Sequence, residues 1–235
     1  MASLKNFLPI FTVALIIVNL WSMLSLEEIV NRWILFGTML SFFFLFISPW
    51  YYNKRGLLLF VLLLLSDALL IFYEVPVFNA LIFLVRIASY LALVWIVLNK
   101  LRNLRTNLFQ KVSFAFAVLL NIFLLYSLVE MVPDGDYNYF FDFLFYLYGL
   151  SVIICVTAAV SYSNRYANRP SIFFLLAVLG LAFSDLTYFI GFNLSFHEFF
   201  FANRIFNILG IGALLHFMNL DRSLSKEDAG NLVDK

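Results

Sequence analysis

Long apolar stretches separated by short polar connections make up almost the whole chain. A helix needs about 20 apolar residues to cross the hydrocarbon core of a bilayer. The pattern therefore predicts an all-α, polytopic transmembrane helical bundle with about eight spans. The predicted spans are 7–24, 31–52, 57–74, 76–98, 108–131, 139–162, 171–192 and 196–218. We expect a single integral membrane domain over 1–220 and a short cytoplasmic tail over 221–235.

The composition excludes several other classes of protein. Hydrophobic residues make up 64% of the 235 and charged residues only 12%, whereas soluble domains carry about 25% charged residues. This balance excludes a soluble enzyme, a disordered chain and a nucleic-acid binder with a basic face. The single cysteine, Cys155, allows no intrachain disulfide. The two histidines, His197 and His216, lie outside any ligand-like cluster, so we expect no metal site and no cofactor.

The distribution of basic residues predicts the orientation in the membrane. If the N-terminus is cytoplasmic, the outer connections hold one basic residue, Arg32. The inner segments then hold Lys5, Lys54, Arg55, Lys100, Arg102, Arg105, Lys111, Arg165, Arg169, Arg222, Lys226 and Lys235. Because basic residues stay on the cytoplasmic side, we expect both termini to be cytoplasmic. The short connections and the absence of a targeting signal favour a bacterial inner membrane.

Local signals predict where several spans begin. Pro76 and Pro170 stand at the starts of the fourth and seventh spans, where proline costs little because the first helical amides have no partner within the helix. Ser-x-x-Glu occurs at 25–28 and 195–198, before the second and eighth spans. This pattern predicts a capping box, in which each side chain accepts from the other residue's backbone N–H.

Four charged residues lie within the predicted spans: Asp67, Arg86, Asp185 and Arg204. A charge at the membrane centre costs at least ~2.5–3.5 kcal/mol on insertion scales, so such residues indicate a functional site by default. Each arginine follows its aspartate by 19 residues, and each aspartate follows a serine. The two sets are offset by 118 residues. Identical spacing of a rare pair predicts a parallel internal repeat of two four-helix halves.

Two arrangements fit these four charges. In the first, Asp67–Arg86 and Asp185–Arg204 are separate buried ion pairs that fix the helix register. In the second, the two aspartates face each other across a central polar cavity, and their hairpins place all four charges near the midplane. Further polar residues expected near that cavity are Tyr90, Asn203 and Asn207.

At these residues the chain resembles the YhhN-like lysoplasmalogenases. The resemblance comprises the eight-span layout, the run Ser66-Asp67-Ala68-Leu69-Leu70 and the second run Ser184-Asp185. That family typically has Gly-Asp where this chain has Ser66-Asp67, and a Ser-His about twenty residues later. Here 85–90 read Val-Arg-Ile-Ala-Ser-Tyr, and the missing histidine puts hydrolytic activity in question. The family hydrolyses the vinyl ether bond of a lysoplasmalogen to a fatty aldehyde and a glycerophospho alcohol.

The resemblance implies a membrane lipid as the partner, a lysophospholipid in particular, and no nucleic acid. Protonation of a vinyl ether carbon starts its hydrolysis, and a neutral carboxyl group can supply that proton. A second, ionised carboxylate can stabilise the resulting cation. Asp67 as the acid with Asp185 as its ionised partner fits this scheme, and the reverse fits equally well.

Substrate binding is expected to involve the remaining polar residues of the spans. An arginine can bind the lipid phosphate, and the candidates are Arg86 and Arg204, supported by Tyr90, Asn203 and Asn207. Two other functions fit the sequence. A parallel repeat with midplane charges is also typical of a small-solute or lipid transporter. A non-catalytic membrane subunit would use the same polar residues only to organise the bundle.

Overall fold

The computed structural model describes residues 2–47, 54–101, 108–130 and 139–233. Within these ranges it forms eight α-helices and no strand. The helices are α1 Ala2–Ser25, α2 Glu28–Ile47, α3 Lys54–Leu70, α4 Pro76–Leu101, α5 Leu108–Glu130, α6 Tyr139–Tyr166, α7 Arg169–Asn193 and α8 Phe199–Val233. Residues 48–52 of the second predicted span, and the charged residues Arg102 and Arg105, lie outside the described residues.

Six of the described helices are long and apolar enough to cross a membrane. These six stretches are Phe7–Ser25, Glu28–Ile47, Val77–Leu101, Phe140–Tyr166, Arg169–Asn193 and Phe199–Asp221. The helix α3 has only 17 residues, and the apolar part of α5 that is described covers Asn121–Glu130. The prediction of a helical membrane bundle is confirmed at this level. The helix α8 continues to Val233, through most of the segment predicted as a tail, because a helix need not end where its apolar stretch ends.

The outside of the bundle is apolar, and part of its inside is polar. Large side chains such as Leu24 and Phe44 are 75% and 65% exposed. Such a surface suits lipid and would be an aggregation hazard in water. Asn19 and Thr38 are buried instead, and the Asn19 amide donates to the Thr38 hydroxyl at 2.8 Å between α1 and α2. Small polar contacts of this kind hold helices together where lipid offers no hydrophobic driving force.

The prolines begin their helices as predicted. The helix α4 starts at Pro76, and Pro170 lies in the first turn of α7. A capping box precedes Pro170 where the sequence reading expected none: the Asn168 side chain accepts from the Ser171 backbone N–H at 2.9 Å. The Ser171 hydroxyl accepts in return from the Asn168 backbone N–H at 3.1 Å.

Both capping boxes expected from Ser-x-x-Glu are wrong. Ser195 has a φ of 58°, in the left-handed region, whereas an N-cap residue is extended, and α8 begins only at Phe199. Ser25 is the last residue of α1 and so belongs to the preceding helix. The Glu28 carboxylate accepts from Arg32 at 2.7 Å, so its partner is a side chain one turn later.

Close helix packing brings α3, α4, α6 and α7 together around the centre of the bundle. The helices α7 and α8 make the most extensive contact, α4 packs against both α3 and α6, and α6 packs against α7. A Cβ added to Gly180 on α7 would lie 2.7 Å from the Gly210 Cα on α8, so two glycines allow the backbones to meet. The helix α6 packs against both α4 and α7, so it joins the α3–α4 hairpin to the α7–α8 hairpin near the charged residues.

Candidate functional site

One arginine bridges two aspartates at the centre of the bundle. Arg86 on α4 donates from Nη2 to the Asp67 Oδ1 on α3 at 3.3 Å. Its Nη1 lies 3.6 Å from the Asp185 Oδ1 on α7. Asp67 is 4% exposed and Asp185 12% exposed, so both carboxylates are largely removed from solvent or lipid. The predicted Asp67–Arg86 pair is present. The two aspartates also come close to each other, as the second arrangement predicts, because both contact the Arg86 guanidinium.

Two tyrosines complete the surroundings of Asp185. The Tyr90 hydroxyl donates to Asp185 Oδ2, so two predicted site residues are in direct contact. Tyr148 on α6 lies beside this pair, with its ring 6.0 Å from that of Tyr90. The sequence does not single out Tyr148, because α6 carries its charged residues, Asp142 and Arg165, only near its ends and holds no part of the repeated motif. Its only signal was a polar aromatic residue in the middle of an apolar span.

Arg204 does not pair with Asp185, contrary to the ion-pair arrangement. Its Nη2 donates to the Asn31 carbonyl oxygen on α2 at 3.2 Å. Its Nη1 is buried and has no hydrogen-bond partner among the described residues. The preceding residue, Asn203, donates to the Ser184 carbonyl and hydroxyl oxygens at 2.9 Å each, so it faces α7. Consecutive helical residues are about 100° apart, and Arg204 is thereby turned towards α2.

A polar chamber of about 110 Å³ adjoins the triad of Asp67, Arg86 and Asp185. Four predicted site residues line it: Arg86, Asp185, Asn203 and Asn207. The rest of the wall is formed by further tyrosine and asparagine side chains, Tyr148 and Asn79 among them, and by apolar side chains, most of them phenylalanines. Asp67 lies behind Arg86 rather than on the wall, so its carboxylate reaches the chamber only through the guanidinium.

A wider vestibule of about 430 Å³ adjoins the chamber on the side of the α1–α2 connection. Arg204, Asn31, Arg32 and His197 lie in its wall. It shares with the chamber Leu35, Leu70, Tyr73, Tyr188, Phe192 and Asn203. Arg32 is neutralised there by Glu28 at 2.7 Å and by a second carboxylate, that of Glu74, at 2.9 Å.

An apolar cleft of about 290 Å³ adjoins the chamber from the opposite side, between α5, α6 and α7. It shares with the chamber Phe145, Tyr148, Asp185 and Phe189. Leucine, valine and isoleucine side chains form most of the remaining wall. Asp185 therefore stands on the boundary between a polar and an apolar space. That boundary is where the linkage between the head group and the chain of an amphiphile would lie.

The described residues contain no group of three or more His, Cys, Asp and Glu side chains that could hold a metal ion. Cys155 is buried among apolar residues of the core. The charged and phenolic groups gathered at the site are Asp67, Asp185, Arg86, Tyr90 and Tyr148.

Comparison with known proteins adds no relative. No protein-family model, no curated protein and no solved structure matches this chain. The similarity to the YhhN-like lysoplasmalogenases stays a prediction, which rests on the predicted span layout and two short motifs.

Proposed function

We propose that the chain is a membrane-embedded hydrolase of an ether-linked lysophospholipid, related in activity to the YhhN-like lysoplasmalogenases. All eight helices would cross the membrane as two parallel four-helix halves, with both termini cytoplasmic, in a bacterial inner membrane. One observation carries the proposal: Asp185 lines both the polar chamber and the apolar cleft. A carboxyl group at that boundary can reach the bond that joins a head group to a hydrocarbon chain.

The proposed reaction adds water across the vinyl ether. Protonated Asp185 gives its proton to the vinyl carbon of the chain that is not bonded to oxygen, which leaves an oxocarbenium ion. The resulting Asp185 carboxylate stabilises this cation and removes a proton from the attacking water. The hemiacetal then breaks into a fatty aldehyde and a glycerophospho alcohol. Asp185 regains its proton in the cycle, and one water molecule is consumed.

The positions of the two aspartates support this assignment of roles. Asp185 lines both the chamber and the cleft, whereas Asp67 lines neither and contacts Arg86 at 3.3 Å. Of the two assignments that fit the sequence, this favours Asp185 as the acid and Asp67 as a positioning residue that holds Arg86.

The test is aldehyde release from a vinyl ether lysophospholipid by the purified protein in detergent. Asp185→Asn removes the acid and should lower kcat by at least ~100-fold, the usual contribution of general acid catalysis. Asp67→Asn should lower kcat with little change in KM, because it displaces Arg86 without touching substrate. Asp67→Glu should recover part of the loss.

The matched control is Asp142→Asn. Asp142 lies in the first turn of α6 and lines neither the chamber nor the vestibule nor the cleft. Its variant should keep the wild-type rate. Full aldehyde release by a folded Asp185→Asn variant would overturn the proposal. Absence of release by the wild type, together with protein-dependent movement of the intact lipid between vesicle leaflets, would also overturn it and assign transport.

A further inference from the structure

We infer that the site binds a single-chain phospholipid in one orientation, with its phosphate at Arg204 in the vestibule and its chain in the cleft between α5, α6 and α7. This binding mode rests on the proposed function only for the role of Asp185, which lies between the phosphate and the chain of the bound lipid. It assigns Arg204 and Arg86 different tasks. It also places the opening for the chain at the lateral surface of the bundle.

Arg204 is the vestibule cation that is available to an anion. Arg32 is held by the two carboxylates of Glu28 and Glu74, and Arg86 is shared between Asp67 and Asp185. Arg204 forms no ion pair with the described residues, and its Nη1 is buried without a partner. A buried guanidinium with an unused donor costs free energy unless a ligand accepts from it. A phosphate oxygen is a strong acceptor for an arginine.

An unused acceptor lies beside this unused donor. The Asn31 side-chain oxygen is buried and has no partner, while the Asn31 carbonyl accepts from Arg204 at 3.2 Å. A ligand that satisfies both groups must carry an anionic acceptor and an O–H or N–H donor close together. Inorganic phosphate and the glycerophosphate part of a lysophospholipid both meet this requirement. The apolar cleft beside Asp185 favours the lipid, because only the lipid has a hydrocarbon chain to fill it.

The cleft suits one hydrocarbon chain. Its volume of about 290 Å³ is near the lower limit of small-molecule pockets, roughly 300 Å³, which favours one chain over two. Its rim residues Leu124, Phe183 and Leu186 are exposed on the apolar surface of the bundle, with Leu124 at 50%. A chain can therefore enter from the lipid without crossing a polar layer.

The head-group test uses ligands that lack the vinyl bond, so binding is measured without hydrolysis. The probes are a saturated 16-carbon alkyl lysophosphatidylcholine, the matching alkylglycerol without phosphate, and free glycerophosphate. Arg204→Gln should weaken binding of the phospholipid by about 10- to 100-fold, the worth of a charged hydrogen bond. Binding of the alkylglycerol should not change. The control Arg165→Gln removes an exposed arginine on α6 and should change neither affinity.

The chain test fills the cleft. Ala182 lines it, and Ala182→Phe should weaken binding of the 16-carbon lipid at least tenfold more than that of an 8-carbon analogue. Ala213→Phe, in the groove between α1, α7 and α8, is the control and should not distinguish the two chain lengths. A folded Arg204→Gln variant that loses both phospholipid and alkylglycerol equally would overturn the inference. Glycerophosphate binding as tight as that of the lipid would also overturn it.

These outcomes separate the inference from the proposed hydrolysis. Binding of the saturated lipid that depends on Arg204 and Ala182, without aldehyde release from the vinyl ether, would retain the binding site and reject the reaction. Aldehyde release that is unaffected by Arg204→Gln would retain the reaction and reject this orientation.

Discussion

The α3–α4 and α7–α8 hairpins carry the same Ser-Asp and the same arginine 19 residues later, yet their arginines have opposite surroundings. Arg86 contacts the aspartates of both hairpins. Arg204 contacts no carboxylate of the described residues and donates to a backbone carbonyl of α2. Equal spacing therefore gives equal positions along the helices, whereas the neighbouring helices decide which way each side chain turns.

The residues around the motif account for the difference. At the offset of 118, Gly180 and Gly210 of the second hairpin correspond to Leu62 and Ala92 of the first. The glycines allow α7 and α8 to meet along their length, so Asn203 can bind Ser184 there and Arg204 is directed elsewhere. The first hairpin instead packs through α4 against α6, whereas the contact of α8, in the second hairpin, with α2 is much smaller. The two hairpins share a motif without sharing their packing.

The largest expected difference between the two hairpins is the loss of stability when each arginine is replaced by methionine. Arg86→Met leaves Asp67 and Asp185 buried without their cation, and we expect a loss of about 3–5 kcal/mol in the free energy of unfolding. Arg204→Met gives up one hydrogen bond, worth about 1.5–3 kcal/mol, but also removes a cation whose burial costs a similar amount. We expect its net effect to be close to zero. Unfolding by SDS in mixed micelles measures both.

A second pair of variants checks the cause. Combining Arg86→Met with Asp67→Asn removes one of the two uncompensated carboxylates, so the double variant should be more stable than Arg86→Met alone. In the second hairpin, the effects of Arg204→Met and Asp185→Asn on the free energy of unfolding should add to within about 0.5 kcal/mol, since these side chains are not paired. Equal destabilisation by both arginine variants would contradict the difference between the hairpins.

Much of the fold followed from hydropathy alone. Apolar stretches of about 20 residues predict helices because lipid leaves no other way to satisfy the backbone, and Pro76 and Pro170 marked two helix starts correctly. The exact ends of the helices were less predictable. The Ser-x-x-Glu pattern at 25–28 and 195–198 predicted helix starts wrongly, because a local motif does not reveal that α1 continues to Ser25 or that Ser195 has a positive φ.

The candidate site was predictable as a set of residues and not as a set of pairs. The repeated spacing identified Asp67, Arg86, Asp185 and Arg204, and the structure brings the first three into contact. Pairing Asp185 with Arg204 assumed that each hairpin satisfies itself. The packing of α6 against α4 and α7 places Arg86, Tyr148 and Asp185 around one cavity. These residues are far apart in the chain, so their meeting leaves no periodic signal.

A substitution at the close approach of α7 and α8 should have an intermediate effect on stability. A Cβ on Gly180 would lie 2.7 Å from the Gly210 Cα, and both are backbone positions that cannot move aside alone. We expect Gly180→Ala to destabilise the protein by about 1–3 kcal/mol, as overpacking usually does. The control is Gly37→Ala on α2, where nothing lies within 4 Å of the added Cβ. That variant should be stabilising by about 0.5–1 kcal/mol, because alanine is the better helix former. The thermal midpoint in detergent should therefore fall for one and rise for the other.

The smallest expected effect concerns the amide that distinguishes the second hairpin. Asn203 donates to Ser184 twice at 2.9 Å, whereas the first hairpin has Val85 at the matching position. We expect Asn203→Val to cost about 0.6 kcal/mol and at most ~1.7 kcal/mol, the range measured for interhelical hydrogen bonds in membranes. Asn193→Val, which removes a bond to Phe189 within α7, serves as the control and should cost less. If Asn203 does hold α8 in the rotation that turns Arg204 towards α2, its loss should also weaken phospholipid binding more than alkylglycerol binding, because only the phosphate depends on Arg204. A change in stability without this split in affinity would show that the amide joins the helices and does not orient the arginine.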